Sequence, residues 1–303
     1  MKAPGATTVE AVLAPAQVRL ADLSALVRPR VALMVLVTVL LGGLLAGDSL
    51  VPSAELWHVV LATGVVTAGA SILNQWLART SDGLMRRTAD RPLATGRIRA
   101  AEGLIIGVLV SAAGLAYMLA AASSPLPAAV TAFTLLSYVL IYTPLKRITT
   151  LNTLVGAVPG ALPPVIGWTA VHGELDVGAL ALFLIVFVWQ VPHFLAIAWM
   201  YRDEYSAAGL QMLPIHDRHG ERTARQMLLY GLALVPVSLT PVQIGMAGPS
   251  YAVGAGLLAA SFLWPIARFQ RQRSVAMARR VLKASLIYLP GVLALLLISK
   301  FWV

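Results

Sequence analysis

Nine stretches of this chain stay apolar over the roughly twenty residues that a helix needs to cross a hydrocarbon core about 30 Å thick. They are centred in residues 27–47, 54–77, 102–122, 125–143, 151–171, 177–200, 225–246, 250–268 and 284–302. With 58% of its 303 residues hydrophobic and 12% charged, the chain reads as a membrane protein on composition alone. The fold class expected is all-α, a polytopic membrane protein with nine transmembrane helices. The fifth stretch carries Gly156, Pro159, Gly160, Pro163 and Pro164, so it should be kinked or broken. Lipid tolerates that only where neighbouring helices or a cavity satisfy the freed backbone groups. Because the chain has no cysteine, it has no disulfide scaffold and no thiolate metal site.

The 23 lysines and arginines sort by side of the membrane. Four precede or open the first stretch, six lie between the second and third, two between the fourth and fifth, four between the sixth and the start of the seventh, and six between the end of the eighth and the ninth. Lys300 alone falls on the other side. The positive-inside rule then makes the N-terminus and the basic loops cytoplasmic and puts the C-terminus on the opposite face. A net charge of +10 thus describes one face, which attracts anionic headgroups; basic residues in short loops between spans do not form a nucleic-acid surface. Met1 to Arg30 has no uninterrupted apolar core and carries Glu10 and Asp22, unlike a signal peptide. We read residues 1–23 as a cytoplasmic N-terminal segment and 24–303 as one membrane domain. With no Arg- and Ser-rich transit segment, the expected location is a prokaryotic inner membrane.

Two cytoplasmic loops are long, roughly 79–101 and 201–223, and they hold Asp82, Asp90, Asp203, Glu204, Asp217 and Glu221. They follow spans four apart in order, the arrangement a repeated four-helix unit would produce. In the first, NQWLARTSDGLMRRTADRP, a continued helix would put Asn74, Ala78 and Asp82 on one face, at i, i+4 and i+8. Arg86, Arg87 and Arg91 follow, and Pro92 should end any helix there. An amide, a carboxylate and guanidiniums suit Mg²⁺ shared with phosphate oxygens, since Mg²⁺ takes one or two protein carboxylates and arginine grips phosphate bidentately. The plain alternative is a solvated loop with local ion pairs.

MYRDEYSAAGLQMLP repeats the pattern, with Asp203 and Glu204 directly after an apolar span. Two acidic loops on one side could hold a diphosphate between two metal ions, with Lys146 and Arg147 of YTPLKRITTLN as further phosphate partners or simply as topology anchors. Within FVWQVPHFLAIAWM, Gln190 and His193 are polar groups in an apolar span. Such groups face the bundle interior, either for function or for a helix-to-helix hydrogen bond near Pro192.

These blocks, together with LVRPRVALMVLVT, PGALPP and ARRVLKASLIYLP, resemble the haem O synthases (protohaem IX farnesyltransferases), a branch of the UbiA-type intramembrane prenyltransferases, over residues 24 to 300. The resemblance implies nine helices around a central cavity open to the cytoplasm and to lipid. It also implies transfer of the farnesyl group of farnesyl diphosphate, with Mg²⁺, onto a vinyl group of haem B to give haem O. By that pattern Asn74, Asp82 and Glu204 are catalytic, and Asn74, Asp82, Asp203 and Glu204 hold metal. Arg86, Arg87, Arg91, Lys146, Arg147 and Tyr205 bind substrate, and His193 lies on the haem side. A haem A synthase or a terminal oxidase is the partner expected downstream. One departure from the pattern is Ala78, where the family has a carboxylate four residues after its Asn. The rival readings are a prenyltransferase with another aromatic or chlorin acceptor, and a non-catalytic haem-binding or transport protein.

Overall fold

In the computed structural model, which describes residues 21–302, helix starts follow local chemistry. Ser53 accepts the Leu56 N–H at 3.1 Å and Asp176 accepts the Ala179 N–H at 3.0 Å, each satisfying a donor that a helix N-terminus leaves open. Proline occupies the first turn of the helices beginning at Pro29 and Pro249, where no N–H is needed. Nine helices among the described residues are long and apolar enough to cross a membrane. They are α1 (Pro29–Ala46), α2 (Ala54–Asp82), α3 (Ala100–Ala121), α4 (Leu126–Leu145), α5 (Asn152–His172), α6 (Val177–Met200), α7 (Glu221–Gln243), α8 (Pro249–Arg271) and α9 (Val275–Phe301).

Two boundaries differ from those read off hydropathy. Helix α2 runs on to Asp82, since residues past Leu77 are polar because of what they face, not because the helix has stopped. Helix α9 begins at Val275 rather than near 284; Arg279, Arg280 and Lys283 sit in its first turns, where long basic side chains keep their heads in water. The break expected in α5 is present: two helical halves, Asn152–Ala161 and Pro163–His172, meet at Leu162.

Helix α2 packs along α3, and α1 along the second half of α5. Helix α6 touches α5, α7 and α9; α7, α8 and α9 follow one another, and α9 returns to α1. Closest approach is at the α1–α5 crossing. A Cβ at Gly42 would overlap the Pro164 carbonyl, and one at Gly167 would overlap the Val39 carbonyl, so small residues let the two backbones touch. Lipid tails are as apolar as leucine, and the chain accordingly leaves Leu33, Met34, Leu109, Val253, Leu257 and Ile287 exposed on its outside.

At the basic end the connectors fold together. Met85, from the α2–α3 loop, is buried with Ala198, Ala208, Leu210 and Met212 of α6 and the loop after it. The Gln211 N–H donates to the Lys146 carbonyl at 2.6 Å, and Asn152 Nδ2 donates to the Gln211 carbonyl at 2.6 Å. The two long acidic loops are thereby held against each other and against the α4–α5 turn. Residues 21–27 are helical and tied down through Gln75, whose Nε2 donates to the Leu26 carbonyl at 2.7 Å. Readings that concern residues 1–20 lie outside the described residues.

Candidate active site

Helix α2 brings Asn74, Ala78 and Asp82 onto one face across two turns, the spacing expected of 3.6 residues per turn. Asn74 is buried, and its Nδ2 donates to Thr143 Oγ1 at 2.7 Å. Thr143 Oγ1 in turn donates its one hydrogen to the Tyr138 carbonyl at 2.8 Å. A hydroxyl that has spent its hydrogen can only accept, so the Asn74 amide nitrogen must face Thr143 and its carbonyl oxygen is left for another partner. The relay spans five residues because Ser137–Tyr142 winds as a π-helix within α4. Single π turns occur often at functional sites.

Asp82 is paired with Arg91, Nη1 to Oδ2 at 2.6 Å, with the two side chains 4% and 16% exposed. Thr88 Oγ1 donates to the Asp82 carbonyl at 2.9 Å and folds residues 83–90 back over the helix end. Pro92 does not close a helix, as its position had implied; it opens a short one, Pro92–Thr95, in the first-turn position that tolerates proline. Burial holds the Arg91 guanidinium below its ordinary pKa, with repulsion from Arg28 next and attraction to Asp82 opposing both.

The remaining basic residues divide. Lys146 is half-buried by surface area, its ammonium 4.3 Å from the Tyr142 ring centre, and its pKa is pushed down to about 8 by desolvation and then by Arg28. Arg147 Nη2 donates to Ser81 Oγ at 3.2 Å, next to Asp82. Arg87 lies 5.6 Å from the Tyr201 ring centre and so links the first loop to the end of α6. Burial raises the Tyr205 hydroxyl above its ordinary pKa, and Arg87 works against that shift. Arg86 is exposed. Asp203 is 98% exposed, 3.7 Å from Arg202, whereas Glu204 is half-buried on the short helix Arg202–Ala207.

His193 is elsewhere. Its Nδ1 is 2.8 Å from Ser285 Oγ on α9, and its ring stacks on Trp189 at 4.8 Å. Gln190 and Phe194, four residues apart, take the inward stripe of α6 instead, while 189 and 193 form the stripe beside it. The inward stripe meets a cavity of about 330 Å³ lined by residues that include Val35, Ser71, Tyr138, Tyr142, Gly156 and Gln190. Ser71 lies one turn below Asn74, so the cavity runs into the membrane from beneath the Asn74–Asp82 face. Glycine keeps it open: a Cβ at Gly156 would run into the Tyr142 ring, and one at Gly160 into the Gln190 amide.

Arg28 was not among the residues singled out from the sequence. It has φ 56° and ψ 63°, the only positive φ outside glycine among the described residues. Its N–H donates to the Ser24 carbonyl and its own carbonyl accepts from Val31 and Ala32, so it is the joint between helix 21–27 and α1. The left-handed geometry costs an L-residue about 1–2 kcal/mol. Pro29 is part of the cause, because it disfavours the right-handed helical region for the residue before it. An Arg-Pro pair at the head of a span was the available signal.

No cluster of three or more His, Cys, Asp or Glu side chains gathers among the described residues. The open donors are hard oxygens, Asn74 Oδ1 and the Asp82 oxygen that Arg91 leaves, with Glu204 across the mouth. That set fits Mg²⁺, which binds through one or two carboxylates while substrate phosphates and water complete its shell. A cationic, hydrogen-bonding mouth above an apolar cavity suits an amphipathic substrate with an anionic head and a hydrocarbon tail.

The chain is 46% identical over 246 residues to a protoheme IX farnesyltransferase of Solibacter usitatus, a match covering 81% of this chain and 84% of that one. It is 43% identical over 283 residues to the Myxococcus xanthus protein of the same name, covering 92% and 94%. Among solved structures, digeranylgeranylglyceryl phosphate synthase superposes with a TM-score of 0.79 at 16% identity, over 94% of this chain and 99% of that one. A UbiA homologue from Archaeoglobus fulgidus bound to GPP and Mg²⁺ gives 0.62 at 16% identity, over 91% and 99%. The model of the UbiA prenyltransferase family matches residues 35–287, from α1 into α9, and includes Asn74, Asp82 and Lys146. On that match and those relatives, this chain is a member of the UbiA prenyltransferase family.

Proposed function

We propose that this chain is a protohaem IX farnesyltransferase, moving the farnesyl group of farnesyl diphosphate onto a vinyl group of haem B, with addition of water, to give haem O and diphosphate. The observation that carries this reading is the Asn74 and Asp82–Arg91 constellation over an apolar intramembrane cavity, in a chain whose relatives of that name are 39–46% identical over most of their length. The C–O bond of an allylic diphosphate breaks with positive charge building on the prenyl carbon and negative charge on the leaving diphosphate. Arg91, Lys146 and Arg147 meet the leaving group with donors already in place, and Arg28 adds charge beside them. The cavity excludes water from the allylic cation until the vinyl group has attacked.

Mg²⁺, held by Asn74 and Asp82 on one side and by Glu204 on the other, would supply further charge neutralisation at the diphosphate. Asn74 is the ligand the chain orients most firmly, through the Thr143 relay. Ala78 offers no side-chain donor between Asn74 and Asp82, so the first site relies more on phosphate oxygens and water. Arg86 and Asp203 point to solvent and act, if at all, in recruiting the anionic substrate. His193 serves the α6–α9 contact rather than the cavity wall. The basic end carrying this mouth is cytoplasmic, in a prokaryotic inner membrane.

The test is mass spectrometry of haem extracted after incubating the membrane-embedded protein with haem B, farnesyl diphosphate and Mg²⁺. A farnesylated, hydrated haem that depends on Mg²⁺ and disappears in Asp82→Asn supports the reading. Unmodified haem B from well-folded protein overturns it, and prenylation of a supplied aromatic or chlorin acceptor instead would reassign the acceptor.

A further inference from the structure

Gln190 lies ten residues inside the basic end of α6, about 15 Å along the helix, and is 3% exposed. Its Nε2 donates to the Ala157 carbonyl of α5 at 3.2 Å and to the Val186 carbonyl one turn back at 3.1 Å. Both partners only accept, so the nitrogen must face them and the amide has one orientation. Its oxygen, Oε1, is then turned toward Gly160, where a Cβ would overlap it. Gly160 is exposed although it lies in mid-span, because it and Gln190 both line the cavity of about 330 Å³ beneath Asn74.

Oε1 accepts no hydrogen bond among the described residues, yet it keeps contact with the cavity and is not sealed in protein as Gln75 Oε1 is. A buried amide oxygen without a donor is costly, so what enters this cavity should bring one. On another wall, Thr67 and Ser71 of α2 add hydroxyls, one turn apart, that have no partner among the described residues. Thr63 and Thr131, also in the lining, return theirs to backbone carbonyls at 2.8 Å.

Resting on the farnesyl-transfer reading above, we propose that Gln190 holds the water that adds to the haem. Farnesyl and vinyl groups carry no polar hydrogen, so of the reacting species only water can donate to Oε1. The terminal vinyl carbon bonds to farnesyl C1 as the C1–O bond to diphosphate breaks, which leaves positive charge on the vinyl carbon beside the pyrrole. The water oxygen bonds to that carbon, and one of its protons passes to the departing diphosphate. Gln190 is not the base, since an amide takes up no proton at neutral pH; it orients the water, whose oxygen faces the cavity once a hydrogen is given to Oε1. A bound water needs roughly two to four polar partners, and the Thr67 and Ser71 hydroxyls are the others this cavity offers. The apolar remainder of the lining keeps bulk water from the allylic cation, so this one tethered molecule meets the cation that the vinyl group acquires.

The experiment is mass spectrometry of the haem products that the full chain makes in membranes from haem B, farnesyl diphosphate and Mg²⁺. Wild type should give the hydrated product. Gln190→Leu, which lacks the acceptor, should still transfer farnesyl, but the cation should then lose a proton, and a product one water lighter should replace most of the hydrated one. Gln190→Glu, which in its neutral form keeps a donor and an acceptor, should restore hydration. Gly160→Ala, which presses on Oε1 and leaves Gln190 in place, should shift the ratio in the same direction as Gln190→Leu. An unchanged ratio of hydrated to unhydrated product in the leucine and alanine variants, with unchanged size-exclusion elution, would overturn the proposal. Equal loss of both products would also overturn it and assign Gln190 to packing or substrate binding. A wild type that makes no farnesylated haem would sink the farnesyl-transfer reading and this one with it, an outcome visible in the same spectrum.

Discussion

At the residue scale, the site depends on charges placed where water is scarce. Asp82 and Arg91 form a largely buried pair, and removing one partner from such a pair leaves the other uncompensated. Asp82→Asn keeps the shape and removes the charge, and should lower farnesyl transfer by at least about 100-fold, the scale on which one preorganised charge-stabilising group acts; product mass spectrometry with size-exclusion controls measures this. Lys146 carries a pH dependence. Burial holds its pKa at about 8, below the ordinary 10.5, so the free protein has a mostly charged ammonium at pH 7 and a mostly neutral amine at pH 9. A depressed lysine pKa means that desolvating the cation costs stability, a cost fully present below about 8 and relieved as pH rises from there towards 10.5. Substrate affinity should move the opposite way, with KM for the prenyl diphosphate rising above pH 8. Lys146→Arg, which stays charged, should flatten that limb; an unchanged pH profile in the arginine variant would remove Lys146 from diphosphate binding.

At the element scale, the π-helical turn in α4 and the glycines of the broken α5 do what a regular helix pair could not. The turn lets Thr143 reach the Tyr138 carbonyl and so fixes the Asn74 amide. Thr143→Val deletes the relay at nearly constant volume, leaving Asn74 free to flip, and should cost about tenfold in kcat/KM, about 1.4 kcal/mol. Thr143→Ser should restore most of it, while a valine variant as active as wild type would leave the relay without a role. In α5, Gly156→Ala presses a methyl group into the Tyr142 ring, on which Lys146 rests. Full-length helices with reduced turnover are expected, read by circular dichroism beside the haem assay. The π-helical turn was not legible in advance; the Gly and Pro cluster did announce the break in α5, but which side chains fill the gap depends on α4 and α6.

At the scale of the whole molecule, all the basic residues among the described ones except Lys300 lie at one end, which is the end where the loops after α2 and α6 close on each other. The absence of native cysteine makes orientation directly testable by single substitutions. A membrane-impermeant maleimide should label Arg218→Cys, in the α6–α7 loop, only in inside-out vesicles, and Glu174→Cys, in the α5–α6 turn, only from the opposite face. Labelling with the reverse sidedness would place the active-site mouth outside the cytoplasm.

Span count, end-to-end charge asymmetry and the shared face of Asn74 and Asp82 were determined by the sequence alone. Each is a one-dimensional property, set by the length of an apolar run, the sign of a loop or the 3.6-residue period of one helix. Which side chains meet was decided only by the tertiary structure. Arg28 joined Lys146 and Arg91 through the crossing of elements far apart in sequence, and His193 turned to Ser285 because α9 packs against that stripe of α6. Trp168, His172 and Lys300 came to line one cavity because α1, α5, α6 and α9 end together. Helix rotation and crossing are set by packing across the whole bundle, and no single segment carries that information.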